Sequence, residues 1–398
     1  MSTKTRVAKW DNVKFILILL VVIGHFLKSF LGNNEPIGQG VSLYIYFFHM
    51  PAFIFISGIF SKNCVDGKKF RGVFTFLVLF LVCRLTNWYA NYLNEDALTF
   101  EFFDISDISW YALAVAIYYA ITMELKRINH VYVLIFMIFF GCFIGYASDI
   151  NNFLGLSRII AFYPFFFIGY LVDGDKLVAF LDRPYIKIIS AFILVGLGFF
   201  IATHLDKVFW LLELVRGRLS YNYLEMCQKG GGLLRLAWYV LSMIFTLALI
   251  SVTFGTKCFI STFGTRTAQV YVLHNCIRIL IMKKAGFSDY VKLKCGDSAV
   301  YAAIGMAIFV TFVLSTKPVY WIMKPILHPH NAKKKKPAQN DLDILPIIDM
   351  EPMVEPVTVK DDIPADNLDM TKSYFTEIYE EDENQEAAKP EDVTDDKK

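Results

Sequence analysis

Two histidines sit inside long apolar runs that hold almost no other ionisable group. His25 follows Asp11-Asn12-Val13-Lys14 by ten intervening residues, and His49 lies in Phe47-Phe48-His49-Met50-Pro51. An ionisable side chain is costly in hydrocarbon, so its presence there points to function. Imidazole is also the side chain suited to moving a proton near neutral pH. The pair predicts a proton-transfer or ion-handling site inside a membrane. Lys14 precedes His25 by close to three helical turns, so the two share a face about 16 Å apart. A cation at one rim with an imidazole deeper in suits an elongated ligand bearing anionic groups and a reactive end. The plainer reading of Lys14 is a snorkelling interfacial lysine paired with Asp11 one turn earlier.

Other candidates are weaker. Arg158 opens a later apolar run and could neutralise a developing oxyanion or hold a second substrate; its plainer reading is an interfacial arginine. His274 lies about 12 Å from one membrane face by helical rise, and a structural histidine is the competing reading. Trp110 and Tyr111 open a span and read as interfacial anchors rather than sugar-stacking platforms. Ser57-Gly58 has no nucleophile elbow around it and reads as a small pair for close helix packing. Gly296-Asp297-Ser298 has the residues of a serine-esterase motif but precedes the last apolar run. Seven cysteines form no Cys-x-x-Cys and no Cys/His cluster, so no zinc site and no bound cofactor is expected. Cys227 and Cys295 fall in loops assigned to the outside, where a disulfide and two separate thiols both stay open.

The elements that must position these residues are membrane helices. Hydrophobic residues make up 56% of the 398, with 37 phenylalanines, which excludes an ordinary soluble domain and offers nothing for a nucleic acid. Ten segments are apolar enough to span: 13–31, 41–60, 71–91, 109–124, 131–147, 157–173, 185–203, 233–254, 266–282 and 300–323. Irregular backbone cannot face lipid, so each is predicted helical. Lys4, Arg6 and Lys9, the basic even-numbered loops and Lys333 to Lys336 favour both termini inside. The first run has Lys28 after it and no cleavage site, so it reads as a retained span. The expected class is therefore an all-α integral membrane protein of about ten helices. It divides into a cytoplasmic segment 1–12, a membrane domain 13–325, and a tail 326–398 that turns from basic to acidic. From Pro337 the tail carries 19 acidic residues against five lysines, a net −14, and reads as disordered. Helical rise puts both His25 and His49 about 18 Å from the inner face. The short Gly32 to Gly40 link makes their helices antiparallel neighbours.

Here the sequence resembles a family. Trp10-Asp11-Asn12-Val13-Lys14, with Val21-Val22-Ile23-Gly24-His25, is similar to the opening of the membrane acyltransferase-3 family, in particular its fucose 4-O-acetylase-like sugar acyltransferase branch. Phe48-His49-Met50-Pro51-Ala52-Phe53 resembles its second-span signature. Arg158 followed by Tyr163-Pro164-Phe165-Phe166-Phe167-Ile168-Gly169-Tyr170 resembles a later motif, and Tyr271-Val272-Leu273-His274 a weaker one. The resemblance implies transfer of an acyl group, most often acetyl, from a cytoplasmic coenzyme A thioester to a carbohydrate hydroxyl. The family more often has arginine where this chain has Lys14, which lacks arginine's bidentate fork. On this reading His25 is the general base, with His49 orienting it or standing as the alternative base. Asp11, Lys14, Arg158 and His274 are candidate substrate-binding residues. The implied partners are acyl-CoA, a glycan acceptor arriving from the outer side, and the bilayer of the plasma membrane. Two other classes compete: a proton-coupled secondary transporter using the same histidines, and a receptor or scaffold working through the acidic tail.

Overall fold

The computed structural model describes residues 3–31, 35–94, 100, 102–148, 150, 153–223 and 229–327. The acidic tail and Cys227 lie outside the described residues. Among the described residues all regular structure is helical, apart from one isolated bridge between Asp104 and Phe153. In chain order the α-helices are α1 Thr3–Phe26, α2 Pro36–Phe60, α3 Lys62–Asp66, α4 Phe70–Leu93, α5 Trp110–Leu125, α6 His130–Phe143, α7 Leu156–Leu171 and α8 Gly174–Leu181. There follow α9 Pro184–Val208, α10 Leu211–Arg216, α11 Gly231–Val252, α12 Phe259–Gly264, α13 Thr267–Arg278, α14 Phe287–Cys295, α15 Ala299–Leu314 and α16 Lys317–Leu327. A π-helical turn, Ile279–Lys284, extends α13.

Every one of the ten predicted segments holds a helix. Among the described residues five helices are long and apolar enough to cross a membrane, or up to seven if each bent pair is one span. The chain turns by 90° between α7 and α8 and by 64° between α15 and α16. The segment predicted as 300–323 is thus broken after Leu314. Two further apolar helices, Trp110–Leu125 and His130–Tyr146, are shorter.

Burial sorts the helices by role. The apolar stretch of α2 is 94% buried and that of α1 72%, against 17% for α9. The helices that carry His25 and His49 therefore form the centre, and α9 is peripheral. The predicted small-pair packing is present: a methyl group on Gly58 would lie 2.0 Å from the Phe166 carbonyl oxygen. One on Gly169 would lie 2.0 Å from that of Phe55. The backbones of α2 and α7 are in direct contact there.

Two prolines sit inside central helices, where each removes a backbone donor. Pro51 strips the Phe47 carbonyl, four residues earlier, of its helical partner. That carbonyl instead accepts from Trp238 Nε1 at 3.1 Å and Ser242 Oγ at 2.6 Å, both on α11. The break next to His49 thus becomes a tie between α2 and α11. Around Pro164, the Ile159 and Ala161 carbonyls accept from the Tyr118 and Tyr239 hydroxyls, each at 2.7 Å.

Candidate active site

Two buried histidines, His25 and His274, meet between α1 and α13, and a third, His49, is buried on the neighbouring α2. His25 is next to the C-terminal end of α1, where the chain tightens into a 3₁₀ turn at Leu27–Phe30. Its ring centroid is 5.0 Å from that of His274, at an interplanar angle of 64°. All three rings are shielded by packed helices. The sequence paired His25 with His49; the structure adds His274 as the ring in contact.

The tautomers are set by the preceding helical turn. His49 Nδ1 lies 2.7 Å from the Ile45 carbonyl oxygen, and His274 Nδ1 lies 2.9 Å from those of both Val270 and Tyr271. A carbonyl only accepts, so each neutral ring carries its proton on Nδ1 and leaves Nε2 as the acceptor. An unprotonated imidazole nitrogen can take a proton from a hydroxyl. Among the described residues no group of three or more His, Cys, Asp or Glu could hold a metal ion.

The Trp10–Lys14 motif lies at the other end of α1 and is sealed. Lys14 is fully enclosed and its Nζ is 2.5 Å from Asp11 Oδ1. It pairs with Asp11, but it does not snorkel, because other helices surround it. Asn12 Nδ2 donates to the Phe254 and Thr256 carbonyls at 2.9 and 3.1 Å, and Asn12 Oδ1 accepts from Ser261 Oγ at 2.7 Å. A methyl on Gly264 of α12 would lie 2.0 Å from the Asp11 carbonyl oxygen. The segment 253–264 is therefore folded directly across the motif. Lys9 joins it through Asp182 at 2.7 Å, and Lys187 holds the same carboxylate at 2.7 Å.

Arg158 is also enclosed rather than interfacial. It donates to the Ile105 carbonyl at 2.9 Å and stacks over Trp110, 5.2 Å from the ring centre. Trp110 and Tyr111 correct the interfacial-anchor expectation: both are buried, because α5 opens against α7 and α13 instead of lipid. The Tyr111 hydroxyl pairs with Ser57 Oγ at 2.7 Å, and Ser57 Oγ donates to the Phe53 carbonyl at 2.7 Å. Ser57 is thus occupied in helix packing, paired with Tyr111 and the Phe53 carbonyl.

Sequence reading missed several charged groups. Arg216 stacks over Tyr46, 4.7 Å from its centre, and Tyr46 lies edge-on to His49 at 5.2 Å. Arg84, Arg235 and Arg278 are buried within helices α4, α11 and α13. The reasoning that singled out the histidines, a costly group in an apolar run, applies equally to those three arginines.

Comparison with known proteins gives one match. The model of the acyltransferase-3 family, described as an acyltransferase domain, covers residues 7–317. No curated protein and no solved structure matches the chain.

Proposed function

Because this chain belongs to the acyltransferase-3 family of membrane acyltransferases, we propose that it transfers an acyl group, most simply acetyl, from acyl-CoA to a carbohydrate hydroxyl. The observation that carries this reading is the buried His25–His274 contact beside His49, with two of the three tautomers fixed. It lies within the matched region and supplies what ester formation from a hydroxyl requires.

A sugar hydroxyl is a poor nucleophile until its proton is removed. His25 takes that proton as the oxygen attacks the thioester carbonyl. The tetrahedral oxyanion collapses, the carbon–sulfur bond breaks, and the coenzyme A thiolate recovers the proton from His25. The products are an ester and free thiol, and the imidazole is regenerated. His49 keeps His25 oriented, and Arg158, held by the Ile105 carbonyl and Trp110, is the cation assigned to the oxyanion. General-base help of this kind is worth about 10²–10⁴-fold in rate.

Ten helices cross the bilayer on this proposal, with the shorter and bent ones included, and both termini are cytoplasmic. The donor binds at the Lys14 end of α1. Its anionic groups compete with Asp11 for the lysine, and segment 253–264 moves aside to admit them. The acceptor reaches the histidines from the outer side of the plasma membrane, because helical rise puts His25 and His49 in the outer half of the bilayer. Sidedness is tested with labelled acetyl-CoA supplied to inside-out or right-side-out vesicles. Incorporation into carbohydrate in inside-out vesicles alone is expected. Equal incorporation in sealed vesicles of both orientations would refute cytoplasmic donor binding, and none in either, while a proton-coupled flux appears, would replace transfer by transport.

A further inference from the structure

We propose that Asn87, Asn275 and Arg278 form a subsite for the hydroxyl groups of the acceptor, built beside His274. The proposal rests on the acyl-transfer reading and adds to it the part of the chain that recognises a neutral polyol.

Asn87 lies on α4 and Asn275 and Arg278 on α13, with exposures of 1%, 3% and 3%. Their hydrogen bonds leave one possible orientation. Arg278 only donates, and its Nε does so to Asn275 Oδ1 at 2.8 Å. The Asn275 amide is thereby fixed, and its Nδ2 donates to Asn87 Oδ1 at 3.0 Å. Asn87 is fixed in turn. Its Nδ2 is a buried donor with no acceptor among the described residues.

His274, immediately before Asn275, holds the complementary atom. Its Nδ1 proton is committed to two carbonyls, and its Nε2 is a buried acceptor with no donor among the described residues. Arg278 follows it by one helical turn. Buried polar atoms are nearly always paired, so an oriented donor and an oriented acceptor left open in one neighbourhood describe a ligand. Hydroxyls suit both: one can donate to Nε2 and one can accept from Nδ2. A carboxylate or phosphate would meet a lone pair at Nε2. An ammonium would face the Arg278 charge, and an apolar group would leave both atoms open. The chemistry selects a neutral hydroxyl, which the acyl-transfer reading supplies as that of a sugar, and the His25 ring in contact with His274 puts the general base beside it.

Asn87→Asp tests the subsite, because a carboxylate still accepts from Asn275 while the outward donor is replaced by a charged acceptor that repels a hydroxyl oxygen. Asn87→Ser is the second variant. Membranes are given labelled acetyl-CoA and a panel of methyl glycosides of hexoses and deoxyhexoses. The wild type is expected to acetylate at least one. Loss of one neutral hydrogen bond should raise the KM for that glycoside about tenfold. The KM for acetyl-CoA and kcat should stay within about twofold, a split that a purely structural tie would not produce. An unchanged glycoside KM in both variants would overturn the subsite and leave the acyltransferase reading standing. Failure of both variants to accumulate as folded protein would mark the strip as a structural tie and overturn it too. A wild type that transfers acetyl to nothing would overturn the acyl-transfer reading and the subsite with it.

Discussion

Removing Asp11 while keeping Lys14 isolates the electrostatics of the sealed motif. The two charges are 2.5 Å apart, with the lysine wholly enclosed and the carboxylate side chain 9% exposed. At an effective dielectric of 20, Coulomb's law gives about 7 kcal/mol of attraction at that separation. Desolvation of both groups consumes much of it, so the pair's net worth is small, whereas breaking one side leaves a buried charge uncompensated. That asymmetry predicts a loss of about 3–5 kcal/mol for Asp11→Asn. The double variant Asp11→Leu/Lys14→Met removes both charges and should return to within about 1 kcal/mol of wild type. Unfolding of purified protein in mixed micelles of rising SDS fraction measures both. The double variant should fold yet show a raised KM for acyl-CoA, because the cation proposed to meet the donor is gone. An Asp11→Asn protein as stable as wild type would refute the reasoning, since it would mean that the Lys14 charge is not confined by the protein.

Three other predictions follow from the packing and the surface charges. Gly58→Val should destabilise by at least about 1–3 kcal/mol and disrupt accumulation in the membrane, because the added carbons enter the α7 backbone; expression level and SDS unfolding report it. Trp238→Phe with Ser242→Ala leaves the Phe47 carbonyl at the Pro51 break without its α11 donors. The pair should cost more together than the sum of the singles, since either donor alone still satisfies the oxygen, and a double-mutant cycle measures this. At Asp182 burial alone would raise the carboxyl pKa, but hydrogen bonds from Lys187 and Lys9 outweigh it and hold it below its ordinary 3.8. A depressed carboxyl stabilises fully above its unfolded value and loses that contribution as pH falls through the folded one. Thermal midpoints between pH 3 and 7 should therefore drop more steeply at the acid end for wild type than for Asp182→Asn.

The helical, membrane-spanning character was legible because apolar run length is a property of single segments. So were His25 and His49, which stand out as titratable residues in apolar runs. Contacts between helices distant in sequence were not. Nothing in the spacing of Phe47 and Ser242 announces that one proline's lost bond is repaired 195 residues later. Asn12 likewise gives no sign that it is held by residues 254–261. Trp110 was misjudged for the same reason: the position of a residue at a helix end is visible in sequence, while the element packed over that end is not. The bends after Leu171 and Leu314 escaped because hydropathy averages across them. His274 was underweighted because its ring contact with His25 joins the first and the ninth apolar segments.

The central claim is that His25 is the base of an acyl transfer. The direct test compares wild type with His25→Gln, which keeps a neutral hydrogen-bonding side chain but cannot accept a proton at this step. Acetyl incorporation from labelled acetyl-CoA into membrane carbohydrate would be followed at matched, folded expression. The prediction is robust transfer by wild type and a rate lower by about 10²–10⁴-fold in the variant, with the KM for acetyl-CoA little changed. Transfer at the wild-type rate by His25→Gln would contradict the assignment.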